Sequence, residues 1–186
     1  MRLLIAAALV AALACGATAE DKGTTVEWAK MKSTTPAAWK SEKPSNAMRL
    51  AQFKLAKADG DPTDAELALF VSPGGGTVEQ NLERQVKKFE TPAGKKQEDL
   101  VKTEKIKVGP NDAVLQEVSG TFLSKAGGPF DPNAKVTKME NYRQLYVIFE
   151  TKAGGESKVY SATLLGPTKT IDKHKKDFEE WVKNFK

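Results

Sequence analysis

The sequence predicts an α+β protein: an antiparallel sheet of about six to eight strands covered by two main helices, one mid-chain and one C-terminal. Three observations carry this. Strand-like runs follow one another through hairpin-length turns, which join antiparallel neighbours and not parallel ones. Helical apolar spacing recurs convincingly in two stretches, after Gly76 and after Pro167. The chain of 186 residues, 40% hydrophobic and 28% charged, suits one ordinary core and not two comfortable ones.

Taken in order, residues 1–19 read as a secretory signal. Arg2 opens it, Leu3–Ala14 is an apolar run of 12 residues, and Ala17-Thr18-Ala19 offers the small-x-small site for cleavage. Export to the periplasm or beyond follows, with the mature domain spanning 20–186. Cys15 gives an alternative, a lipid-anchored mature terminus. Against it, Ala12 and Leu13 stand in the reverse of the usual lipoprotein order. Cleavage after Ala19 leaves a cysteine-free domain, which suits an oxidising compartment. No later apolar run is long enough to span a membrane, so the mature chain has no transmembrane segment.

Thr24–Trp28 has strand propensity, and residues 34–39 read as a turn leading into a brief extended piece. Met48–Leu55 alternates, placing Arg49 on one face with Ala51, Phe53 and Leu55. Gly60-Asp61-Pro62 is a turn, and Ala65–Val71 is apolar enough for a central strand. The glycines before Thr77 break that strand. Thr77 with Gln80 then forms a capping-box pattern, and Val78, Leu82, Val86 and Phe89 fall within an arc of about 80°. Gln85 falls inside the same arc, where an apolar residue is expected. Pro92 ends the helix near Glu90.

Leu100–Val108 and Ala113–Leu123 pair around Gly109-Pro110-Asn111-Asp112. Ser124–Asn141 reads as a long irregular loop. Tyr142–Thr151 and Ser157–Leu165 form the clearest hairpin. The last helix starts near Thr168–Thr170, with Asp172 favouring its positive end. Its apolar stripe is Ile171, Phe178, Val182 and Phe185, with Trp181 at the edge. The expected core comprises Phe53, Leu67, Leu69, Val78, Leu82, Val86, Phe89, Leu115, Tyr146, Ile148, Leu164, Phe178 and Val182.

Several motifs carry a resemblance: Thr35 to Trp39 (TPAAW), Met48 to Phe53 (MRLAQF), Gly74 to Arg84 (GGGTVEQNLER), Ser119 to Phe122 (SGTF) and Leu165-Gly166-Pro167. Together they resemble a family of uncharacterised exported bacterial proteins, over most of the mature chain. The layout is also similar to the PsbP-like α/β/α sandwich. In the first family the residue after the helix arginine is often Trp, and here it is Gln85. The resemblance implies fold and export; it supplies no activity.

Composition narrows the function classes. The net charge is +5, carried by 25 Lys against 4 Arg, and Arg2 leaves with the signal. Scattered lysines interleaved with glutamates read as a solvated surface and not as specific nucleic-acid recognition, which favours the arginine fork. With one cysteine and one histidine, no metal cluster is expected. No P-loop or Rossmann spacing occurs, so no cofactor is expected. His174 reads as a packing residue, since Asp172 lies about 200° away around the helix. No catalytic residue emerges.

The remaining local candidate is an anion site at Gly75, Gly76 and Thr77, where helix N–H groups and the dipole coincide. Against it stands a turn that Thr77 already caps. Two function classes follow. The leading one is an exported, non-catalytic binding or accessory domain for a protein or small ligand. The alternative is an extracytoplasmic hydrolase using acidic residues, for which a cleft holding two carboxylates, one of them buried, would speak. A weaker third is lysine-mediated adhesion to anionic polymer or lipid.

Overall fold

A computed structural model describes residues 22–73, 75–126, 135–153 and 156–186. The signal segment 1–19, with Cys15, lies outside the described residues, as do Gly74, the 127–134 centre of the expected loop, and Gly154 and Gly155 between the strands of the expected hairpin.

The described residues form ten strands, two α-helices and a short 3-10 turn at Gln97–Leu100. A small hairpin, β1 (Thr25–Trp28) and β2 (Met31–Thr34), precedes an eight-stranded antiparallel sheet. Strands β3 (Lys40–Glu42), β4 (Arg49–Leu55), β5 (Ala65–Pro73), β10 (Glu156–Pro167), β9 (Lys135–Ala153) and β8 (Asn111–Ala126) lie side by side in that order. The outer edge of β8 is covered in two pieces, by β7 (Val101–Val108) along its first half and by β6 (Phe89–Glu90) further on. Helix α1 (Val78–Val86) lies on one face of the sheet and α2 (Thr168–Lys183) on the other.

The α2 face holds the main core. Phe53, Leu67, Leu69, Leu115, Val147, Phe149 and Leu164 point into it from the strands, because alternate residues of a strand share a face. Ile171, Phe178, Trp181, Val182 and Phe185 meet them from α2 and its C-terminal end. The β1–β2 hairpin closes the layer. Trp28 packs edge-on against Phe149 and Phe185, with ring centroids 4.8 and 5.3 Å away. Lys32 and Lys186 exchange two backbone hydrogen bonds, which tie the C-terminus to β2.

The start of α2 is held from a distance. Its expected partner, Asp172, pairs with Arg143. Asp61, from the β4–β5 turn, accepts both the Thr170 N–H and the Thr170 hydroxyl at 2.7 Å, so the carboxylate at the positive helix end comes from another element. His174 is buried, with Nε2 2.8 Å from the Ala56 carbonyl, and so ties α2 to the same segment.

Several expectations need correction. Helix α1 stops at Val86, and Phe89 is a strand residue opposite Phe122. Val78 and Leu82 are only partly buried, because α1 is short and lies at the edge of its cluster. The connection from β7 to β8 is two residues, Gly109-Pro110. A side chain at Gly109 would meet Met31 Sδ at 2.5 Å and the Phe185 carbonyl at 2.8 Å, so the turn requires glycine there. The expected Ser124–Asn141 loop is largely strand: β8 continues to Ala126 and β9 begins at Lys135. Those added pairs are mostly exposed on both faces, which erased the alternation that marks a half-buried strand.

Candidate functional site

The α1 face is built differently, and its sheet register shows how. One cross-strand row runs Gln116, Tyr146, Thr163, Ala68, Gln52 from β8 to β4. The row on one side runs Ile148, Ser161, Phe70, Arg49, and on the other Gln144, Leu165, Glu66. Polar residues therefore occupy the middle of the sheet. Arg49 reaches this face because a bulge between Arg49 and Ala51 breaks the alternation that was expected to keep it with Phe53.

Helix α1 packs over β8 and β9 through Val78, Leu82 and Val86, leaving the β10–β5–β4 side uncovered. A groove of 340 Å³ runs along the uncovered flank, at the small end of the range of about 300–1,000 Å³ for small-molecule sites. Asn81 and Gln85 of α1, with Lys88 just past its end, form one wall, and Met48 and Arg49 the opposite one. Gln144, Tyr146, Ser161, Thr163, Ala68, Phe70 and Leu165 form the floor.

The floor is wired together. Lys88 Nζ donates to Gln85 Oε1 at 2.7 Å, and Gln144 Nε2 donates to the same oxygen at 3.3 Å. Tyr146 is pushed above the ordinary tyrosine pKa by burial, with its hydrogen bonds to Ser161 and Gln85 acting against that rise. Lys88 is held below the ordinary lysine value by burial of its ammonium, with the Arg84 charge adding to the effect, although the residue as a whole is exposed. Arg49 Nη1 meets Glu66 at 2.8 Å and Gln52 Oε1 at 2.8 Å. Two atoms of the lining are buried without a partner: Gln144 Oε1 and Arg49 Nε.

Gln85 was the polar residue out of place in the helix arc. The structure gives it a role, since it is the joint between Lys88, Gln144 and Tyr146. Gln144, Ser161 and Thr163 were not singled out in the sequence. The available signal was a polar residue in the interior of a central strand, as in Arg143-Gln144-Leu145-Tyr146.

The helix start is largely self-satisfied. Gly75 N–H bonds the Ser72 carbonyl at 3.3 Å, Thr77 N–H bonds Gln80 Oε1 at 3.1 Å, and Gln80 N–H bonds Thr77 Oγ1 at 3.2 Å. Glu79 is held below the ordinary carboxylate pKa by its own backbone N–H and by Thr77. Arg84 folds back along the helix to the Gly75 carbonyl at 2.7 Å. An incoming anion at Gly75, Gly76 and Thr77 would compete with these internal partners. Across the helix, a more open depression of 550 Å³ lies between α1 and β7, with Gln116 in its lining. Its two carboxylates, Glu83 and Glu98, are both exposed.

Among the described residues no group of three His, Cys, Asp or Glu side chains is placed to hold a metal. No described helix is long and apolar enough to cross a membrane. The sequence matches no known protein family, and no curated protein is similar to it. Its fold is similar to that of LpqN of Mycobacterium tuberculosis, a protein involved in cell envelope biogenesis. The two are 11% identical with a TM-score of 0.53, covering 88% of this chain and 83% of that one. Cyanobacterial PsbP (CyanoP) from Synechocystis is 14% identical at a TM-score of 0.45, over 92% of this chain and 96% of that one. A protein of unknown function from Pseudomonas aeruginosa is 13% identical at 0.42, over 87% and 94%. The LpqN likeness bears on the fold alone.

Proposed function

We propose that residues 20–186 are an exported, non-catalytic binding domain that receives a small ligand in the groove beside α1. The observation that supports this reading is Gln144. Its side chain is 1% exposed, yet Oε1 has no partner, in the floor of a groove already lined by hydroxyls and amides. A buried carbonyl without a donor costs about 1–3 kcal/mol, a cost that a ligand can recover. The groove lining holds one carboxylate, Glu66, and Arg49 engages it. General acid–base chemistry by a carboxylate pair therefore has no support at this site. Export is inferred from the Arg2 to Ala19 signal.

Two measurements test the reading. Intact mass of the exported protein should give a chain beginning at Glu20; a lipid adduct on Cys15 would replace export as a free domain with anchoring. In NMR fragment screening, shifts should cluster on Gln144, Ser161, Thr163 and Leu165. Clustering on Leu82, Val101 and Thr103 instead would move the site to the other side of α1.

A further inference from the structure

Resting on that groove being the binding site, we propose that its ligand is a small amphiphilic hydroxy acid, with the carboxylate on Lys88 and the hydroxyl on Gln144 Oε1. Lys88 has three N–H donors, and one of them is placed on Gln85 Oε1. The groove's carboxylate, Glu66, lies against Arg49 and so does not neutralise the lysine. The neighbouring cation on the helix, Arg84, points to the Gly75 carbonyl and to Asn81 Oδ1, and it adds repulsion. The groove therefore presents a partly desolvated ammonium lacking an opposite charge among its described neighbours. An anionic head supplies that charge.

The second contact follows from the order of the amides. Lysine only donates, so its bond fixes the oxygen of Gln85 toward it. Gln144 bonds to the same oxygen and must present its NH₂ there. That orientation leaves Gln144 Oε1 as the unused atom, and it is an acceptor, so the ligand must bring a donor. A hydroxyl is a donor that leaves the ligand's negative charge intact. Because Lys88 and Gln144 share one partner atom, a single small molecule spans both. Ala68, Phe70 and Leu165 in the same lining offer an apolar surface to the rest of it.

The test is calorimetric titration of the exported chain with 3-hydroxyoctanoate, octanoate and 1,3-octanediol, with NMR shifts at Ser161 and Thr163 reporting occupancy. The hydroxy acid should bind tightest, and Lys88→Met should weaken it by about tenfold or more, the worth of a charge-assisted hydrogen bond. Lys88→Arg should keep the preference for the acid over the diol. In Gln144→Leu the advantage of 3-hydroxyoctanoate over octanoate should vanish, which a merely structural Gln144 would not produce. If the diol binds as tightly as the acid and shifts Ser161 and Thr163, the ligand class is wrong while the groove stands. Equal affinity of Lys88→Met and the unmutated chain for the acid would also overturn it. If none of the three probes moves those residues, the ligand class falls, and fragment clustering across α1 would show that the groove falls with it.

Discussion

Replacing Gln144 by Leu should stabilise the unliganded protein while removing its preference for a hydroxylated ligand. Gln144 lies in β9 opposite Val118 and Leu165, nearly sealed from solvent, and its Oε1 has no donor. Leaving such an acceptor unmet costs about 1–3 kcal/mol. Its Nε2 returns little, because the bond to Gln85 is 3.3 Å long and neutral, worth about 1 kcal/mol at most. Gln85 Oε1 keeps Lys88 after the substitution, so no new orphan is created on that atom. Leucine has nearly the same volume, which spares the cavity and overpacking penalties. The net expectation is a gain of about 1 kcal/mol, or roughly 2–4 °C in Tm for a chain of this size. Urea titration gives the value directly, provided the m-value is unchanged. A loss of more than about 0.5 kcal/mol, beyond what a neutral site shows, would mean that the carbonyl already has its partner, and the argument for a waiting site would collapse.

Phe178→Ala should cost about 3–5 kcal/mol, since the ring is fully buried and packs 6.4 Å from Trp181; a change typical of a surface site would show that α2 does not seal the core. Alkaline unfolding should separate two groove residues. Between its lowered folded value and 10.5, Lys88 has lost a proton that the unfolded chain still holds, so its contribution to stability rises with pH there. Above 10.0 the folded Tyr146 keeps a proton that the unfolded chain loses, so its contribution falls. Relative to the unmutated chain, Lys88→Met should therefore lack the rise and Tyr146→Phe the fall, and identical profiles for all three would refute the burial of both groups. Phosphate titration tests anion binding at the helix start: Gly76 and Val78 amides should respond, and Gly75 and Thr77, already bonded, should not. A uniform lack of response would end that proposal.

How far the sequence carries depends on how local each signal is. The β9–β10 hairpin, the Thr77 capping box and the α2 stripe are written within a few residues of themselves, and all three are where the sequence puts them. Strand β2 escaped because its turn, Ala29-Lys30, has both residues at positive φ without the glycine or asparagine that announces such a turn. Asp61 at the start of α2 was invisible because its partner is 109 residues away. The groove lay beyond local reading for the same reason. Its floor and walls come from five strands and a helix, and only the register brings Gln144, Leu165 and Glu66 into one row. Its one legible trace was Gln85, a polar residue inside an apolar arc.

The contrast between the two faces follows from helix length. At 1.5 Å per residue the nine residues of α1 reach about 14 Å, whereas seven strands at about 4.8 Å spacing make a face roughly 30 Å wide. Such a helix cannot cover its side of the sheet. Helix α2, with 16 residues and help from the β1–β2 hairpin, covers far more of the other. An uncovered face must carry polar residues merely to stay in water, so polarity alone does not mark a site. Burial does. Gln144 and Tyr146 are each 3% exposed or less, out of water although they lie beside the uncovered flank. Hydrophobic residues of similar size at those positions would pack without an orphaned carbonyl. Keeping an amide and a phenol there lowers stability, and recognition of a polar ligand is the gain that can balance it.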